Sequence, residues 1–240
     1  MLNMTMTSRS SRRRGARLER GISLVELMVG LTVGLMVTAG AISLFASNVS
    51  QSRRVVANAR VEQDLRNIAD LITRDLRRAG YWGNAINGTL AVGAAAAAAS
   101  NPYASVAPAS SPTDGQIVYS FSRGAEDDAK SDAETFGFRR NADDGTVEMQ
   151  TSNGTWKKLN DPNYTTITSL SLNDASPDTI PLGYRCPTNC SPGSAGCPEV
   201  KVRRYDLVLT GRSVLDSTVV RTLRTSVRLR NDEMSGKCPA

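Results

Sequence analysis

Apolar and polar positions divide the chain into three unlike stretches. From Gly21 to Ser52 the only charged residue is Glu26, and 17 of the 25 residues at positions 22–46 are Ala, Val, Ile, Leu, Met or Phe. As an α-helix those residues rise about 37 Å, more than the ~30 Å hydrocarbon core of a bilayer. The first stretch therefore predicts one transmembrane helix. Past Ser52 charges return, but apolar residues keep a helical period at Val55, Ala59, Leu65, Ile68, Ala69, Ile72, Leu76 and Ala79. On another face Glu62, Arg66, Asp70, Arg74 and Arg78 step by four, and the first of them are favourable i,i+4 neighbours. The economical reading is a single helix over residues 22–79 that ends at Gly80, its outer half packed on a sheet.

The third stretch has a different rhythm. Residues 84–115 are rich in Ala, Ser, Gly and Pro and predict a long surface connection, with a helical turn at the alanines 94–99. Short alternating runs follow at 116–121, 135–139, 146–150, 155–159 and 164–172, with Asp144-Gly145 and Asn153-Gly154 as hairpin turns. Two long strands, 200–210 and 218–230, end the pattern. In the second, Leu223, Thr225, Val227 and Leu229 share one face, while Thr222, Arg224, Ser226, Arg228 and Arg230 share the other. The predicted fold class is α+β, a long N-terminal helix packed on an antiparallel β-sheet head.

Composition narrows the chemistry. There is no histidine among the 240 residues, which excludes Ser-His-Asp and Cys-His catalysis and His-ligated metals. The net charge of +6 is localised: residues 1–20 hold six arginines and one glutamate, leaving the remainder close to neutral. A general nucleic-acid surface loses its main support. The Arg224, Arg228 and Arg230 row, with Arg203, Arg204 and Arg221 near it, offers a contact for DNA or a partner subunit, and a solvated strand face is favoured over both. The acidic run Glu126-Asp127-Asp128 with Asp132 and Glu134, and the later Asn141, Asp143 and Asp144, lack the alternating twelve-residue pattern of a calcium loop. No cofactor, metal site or catalytic constellation is expected, and the chain reads as a non-enzyme.

Arginines precede the apolar run and only Arg53 and Arg54 follow it closely, so the positive-inside rule predicts a cytoplasmic N-terminus and an extracytoplasmic head. At the junction stands Arg20-Gly21-Ile22-Ser23-Leu24-Val25-Glu26-Leu27-Met28-Val29. This segment resembles the class III signal of type IV prepilins and pseudopilins. The resemblance implies cleavage after Gly21 by the prepilin peptidase, N-methylation of Ile22, and a role for Glu26 in an assembly salt bridge with a free N-terminal amine. A carboxylate at that depth costs on the order of 3 kcal/mol unless paired, which supports such a role. Ile22 stands where the family usually has Phe, and no proline kinks the apolar run; Gly30-x-x-x-Gly34 has small-residue contact spacing instead.

A second segment narrows the family. Asp64-Leu65 and Ile72-Thr73-Arg74-Asp75-Leu76-Arg77-Arg78-Ala79-Gly80-Tyr81-Trp82-Gly83 resemble the PilW-type minor pilins. Tyr81 and Trp82 are expected as a packed aromatic corner between helix and sheet. The resemblance implies partners: the prepilin peptidase, the inner membrane, other minor pilins of the PilV, PilX, PilE and FimU types, the major pilin, and a PilY-type tip adhesin. It implies a place in the priming complex of a type IV pilus that serves twitching motility, adhesion or DNA uptake. A J-type pseudopilin of type II secretion and a DNA-binding competence pilin are the alternatives. Cys186, Cys190, Cys197 and Cys238 are expected to form two disulfides rather than a zinc site. Of three pairings, Cys186–Cys190 with Cys197–Cys238 is preferred, the second bridge pinning the C-terminal hairpin.

Overall fold

A computed structural model describes residues 21–88, 99–108, 115–124, 129–151, 154–177, 179–186, 190–191, 197–236 and 238. The basic leader, the alanines 94–98, the acidic residues 126–128 and Asn153 lie outside the described residues. The chain divides into two compact units, Met1–Gln51 and Ser52–Ala240.

Helix α1 (Leu24–Leu76) contributes to both units. In the first, every residue from Gly21 to Gln51 is exposed except half-buried Val49. Its most apolar window has a mean hydropathy of 2.0. Thr32 donates its hydroxyl to the carbonyl of Val29 at 2.9 Å, and Thr38 donates to that of Gly34. Both hydroxyls are thereby satisfied within the helix, as an apolar surrounding requires.

In the second unit α1 buries a continuous stripe of Ala57, Val61, Leu65, Ile68, Ala69, Ile72 and Leu76. The stripe enters at Ala57 and Val61, whereas Val55 is 66% exposed and Ala59 is exposed. Steps of four back from Leu65 reach Val61 and Ala57; Val55 and Ala59 belong to a different face. The helix closes on a tight turn, with N–H bonds from Arg78 to Asp75 and from Ala79 to Leu76, both 3.0 Å. Gly80 follows at φ +75°, the left-handed conformation that glycine adopts without cost.

Eleven strands follow: β1 (Val106–Pro108), β2 (Gln116–Ser120), β3 (Thr135–Asn141), β4 (Thr146–Gln150), β5 (Trp156–Lys158), β6 (Thr165–Asp174), β7 (Ile180–Pro181), β8 (Glu199–Lys201), β9 (Arg204–Ser213), β10 (Val220–Arg228) and β11 (Glu233–Ser235). They form three antiparallel sheets, ordered β1-β2-β3-β4-β5, β10-β9-β6 and β11-β8-β7. Asp144-Gly145 closes the β3–β4 turn as expected, with Gly145 at φ +63°. The α+β, pilin-like arrangement of a long apolar helix and antiparallel sheets is thus present, with three sheets in place of one.

Strand 200–210 is broken. Val202 and Arg203 separate β8 from β9, which pair with different neighbours. The cause is Arg203, 3% exposed, whose side chain turns inward to the carbonyls of Asn231 and Ala104 rather than onto the outer face of a sheet. Along β9 burial alternates with the pleat: Tyr205, Leu207, Leu209 and Gly211 face inward and Arg204, Asp206 and Arg212 outward.

One core joins the helix stripe to both larger sheets. Ile117, Tyr119, Phe121, Phe138 and Val147 come from the first, and Ile167, Leu170, Leu172, Leu207 and Leu209 from the second. Each large apolar side chain buried here contributes roughly 1.5–3 kcal/mol. The Gly115 N–H donates to the Leu170 carbonyl at 2.9 Å and the Arg140 Nε donates to the Ile167 carbonyl at 2.9 Å, linking the first sheet to β6 of the second.

Candidate functional site

The residues that resemble a class III signal stand at the start of α1. Gly21 and Ile22 precede the helix and are exposed, Ile22 by 72%. The Ser23 carbonyl accepts the N–H of Leu27 at 3.0 Å, so the helix starts directly after Ser23 and places Glu26 in its first turn. A carboxylate there faces the positive end of the helix dipole. Around it Leu24, Val25, Leu27, Met28 and Val29 are 54–73% exposed. This is an apolar surface with one anionic group, incomplete without lipid or other helices.

Just past the opposite end of α1, carbonyls of the closing turn, residues 77–80, are satisfied by distant residues. Asn231 donates its amide to the Ala79 carbonyl at 3.1 Å, and Asn101 donates to that of Gly80 at 2.9 Å. The Arg230 N–H meets the Arg77 carbonyl at 3.1 Å. Buried Arg203 donates to the Asn231 carbonyl at 2.7 Å and to that of Ala104. Its guanidinium lies so close to Gly80 that a Cβ there would sit 2.4 Å from it. A cation beside the negative end of a helix is favourable, which explains why an arginine is tolerated inside. The Arg203 Nε is buried and has no partner among the described residues. Arg203 therefore leaves the exposed row to which its sequence position assigned it.

The aromatic pair behind Gly80 splits. Trp82 is 5% exposed, packed as expected, but Tyr81 is 50% exposed. Arg78, the end of the predicted charge ladder, instead lies 4.2 Å over the Phe121 ring and 4.0 Å from Asp75. Glu62 and Arg66 do pair, at 2.5 Å. Burial and the Asp75 carboxylate push the Tyr119 phenol far up, so it stays neutral and donates to Asp75 at 3.5 Å.

Among the described acidic residues Glu134 has the most crowded surroundings. Its carboxylate accepts from the Ser131 N–H, the Ser131 hydroxyl, the Arg123 N–H and the buried Tyr103 hydroxyl, all at 3.0 Å. Burial raises its pKa, and these four donors more than offset that, so the carboxyl is held below its ordinary value. No cluster of acidic or cysteine side chains suited to a metal occurs among the described residues.

On β10 and just past it, Thr222, Arg224, Ser226, Arg228 and Arg230 are exposed, and Val227 and Leu229 are buried, as the alternation predicts. Arg228 pairs with Asp232 at 3.2 Å. The strand is an edge of its sheet.

All four cysteines are bonded, as Cys186–Cys238 and Cys190–Cys197. The preferred pairing of Cys186 with Cys190 and Cys197 with Cys238 is overturned. The small sheet explains why: β7 and β11 flank β8 and both leave it at the Glu199 end, opposite Pro181 and Ser235. The chains carrying Cys186 and Cys238 emerge on either side of β8, and their Cα atoms lie 5.2 Å apart. Cys190 and Cys197 close the short loop that leads into β8.

An exposed apolar helix leading into an α+β head of antiparallel sheets defines a pilin-like protein. The chain belongs to the prepilin peptidase-dependent protein B family: that family's model matches residues 54–229, nearly three quarters of the chain. The match covers the outer part of α1 and the head through β10, and leaves out Gly21, Ile22 and Glu26 as well as β11 and Cys238. No curated protein and no solved structure matches the chain.

Proposed function

We propose that this protein is a minor pilin of the PilW type. The prepilin peptidase cleaves after Gly21, Ile22 becomes the N-methylated first residue, and the apolar part of α1 anchors the protein in the inner membrane before it enters a type IV pilus. The head then faces the periplasm and later the cell surface. Glu26 pairs with the N-terminal amine of its own or an adjoining subunit, which offsets the burial of both charges in a filament core. The chain performs no chemistry of its own.

One observation carries this reading: an exposed apolar helical segment with a single anionic residue, in a chain of a prepilin peptidase-dependent family. In a priming complex its partners are the other minor pilins of the PilV, PilX, PilE and FimU types, the major pilin and a PilY-type adhesin. The Ala79-Gly80-Tyr81-Trp82-Gly83 segment and the disulfide-bearing tail are the features by which it resembles PilW rather than a J-type pseudopilin. Deleting the gene tests the assignment. Loss of surface pili and twitching supports it, whereas loss of protein secretion with pili intact assigns the chain to type II secretion.

A competence pilin is favoured by one feature, the exposed Arg221, Arg224 and Arg228 on an edge strand. That role predicts salt-sensitive DNA retention that Arg224→Ala and Arg228→Ala abolish together.

A further inference from the structure

The turn that closes α1 and the chain leaving β10 enclose a basic cleft. It has a volume of about 350 Å3 and is lined by Arg77, Arg228, Leu229 and Arg230. The Arg230 N–H donates to the Arg77 carbonyl at 3.1 Å, so main-chain groups hold its two sides together. Arg228 shares its charge with Asp232 at 3.2 Å, while Arg77 and Arg230 are exposed and make no ion pair among the described residues. Three guanidinium groups against one carboxylate leave an excess of two positive charges. Arginines along an edge strand deter pairing between like copies, which accounts for Arg221 and Arg224. It does not account for a cleft that draws Arg77 from the end of the helix.

The cleft lies at one end of an open sheet edge. Among the described strands β10 pairs with β9 alone, so the backbone groups along its other side have no ladder partner over nine residues, about 30 Å. Exposed Arg224 and Arg228 stand on one face of that edge, and Arg230 continues their row into the cleft. An extended peptide satisfies both features at once: its main chain completes the ladder, and carboxylates at alternate positions sit opposite the arginines. Nucleic acid would use the charges alone and leave the ladder open. A second copy does not supply the strand. Of the described strands at sheet edges, β1, β5 and β7 carry no acidic residue, β6 and β11 carry one each, Asp174 and Glu233, and β10 would set arginine against arginine. We infer that the β10 edge and its terminal cleft are a docking site for an extended acidic segment of a different protein chain. The segment adds to β10 as a strand and places a carboxylate among Arg77, Arg228 and Arg230. The site lies wholly within the second unit and does not depend on processing at Gly21.

Fluorescence anisotropy tests the site, with the full chain in detergent titrated into a labelled peptide that alternates glutamate with threonine. The same peptide with glutamine for glutamate is the control. The glutamate peptide is expected to bind at least about tenfold more tightly, to lose affinity as salt rises, and to slow amide exchange along β10. Arg77→Gln with Arg230→Gln weakens its binding by about tenfold and leaves the unfolding midpoint in place, because the bond joining those residues is main-chain. Arg224→Gln, in the middle of β10, weakens it in the same direction and serves if the double variant does not fold. Equal affinity for the two peptides, or no binding of either, overturns the docking site. So does an oligonucleotide that binds more tightly than the glutamate peptide while the β10 amides exchange freely, which assigns the arginine row to nucleic acid. Protection of β10 that needs no peptide and grows with protein concentration assigns the edge to a second copy and also overturns it.

Discussion

Arg203→Met isolates what the buried arginine does. Arg203 donates to the Asn231 carbonyl and to the Ala104 carbonyl, and it sits beside Gly80 where α1 ends. Two charge-assisted bonds are worth roughly 1.5–3 kcal/mol each, and the helix end adds up to about 2 kcal/mol. Against that, methionine avoids burying a guanidinium whose Nε is unpaired, a gain of a few kcal/mol. The balance is a net loss of about 2–3 kcal/mol. Guanidinium unfolding of the full chain in detergent, with disulfides intact, measures it. Arg203→Lys is expected to fall between, since an ammonium keeps the charge but not the fork that reaches both carbonyls. If Arg203→Met unfolds at the wild-type midpoint, the cap is not what breaks strand 200–210, and the account of the split between β8 and β9 fails.

Gly80→Ala is expected to cost more than the ~1–2 kcal/mol of a left-handed alanine, because its Cβ would also displace the Arg203 guanidinium; thermal unfolding measures the shift. Removing Cys186–Cys238, separation 52, is expected to destabilise by about 4 kcal/mol, and removing Cys190–Cys197, separation 7, by about 2.5 kcal/mol, in unfolding of the paired Cys→Ser variants. Peptide mapping of the non-reduced protein should recover those two bridges and no other pairing. Glu134 titrates lower folded than unfolded, so its contribution is present above the ordinary glutamate range and is lost as pH falls through the lowered folded value. The stability gap between wild type and Glu134→Gln should therefore be wide at pH 7 and narrow in strong acid. An equal gap at both would show that its four donors do not favour the charged form.

Period and alternation made much of the architecture legible. The steps from Leu65 to Leu76 placed the buried stripe, β4 fell at 146–150 as read, and the inward and outward faces of β10 followed from its pleat. What failed depended on contacts distant in sequence. Val55 and Ala59 fit a helical period almost as well as Ala57 and Val61, and only the packed sheets decide which face is inside. Arg203 looked like one more exposed arginine because its partners, Asn231 and Ala104, lie 28 and 99 residues away. The disulfide pairing depended on β7 and β11, strands of two and three residues that carry no periodic signal of their own. Gly21, Ile22 and Glu26 were picked out by resemblance to a class III signal, and the roles proposed for them concern processing and assembly, which the fold of a single chain does not test.

Assembly supplies the most direct test. Intact-mass and N-terminal peptide analysis should be made on the protein from membranes and from sheared surface filaments, with and without the prepilin peptidase. A chain that begins at N-methylated Ile22, is present in filaments, and is replaced by the uncleaved form when the peptidase is removed is the result predicted. An uncleaved chain confined to the membrane in the presence of the peptidase would contradict the account.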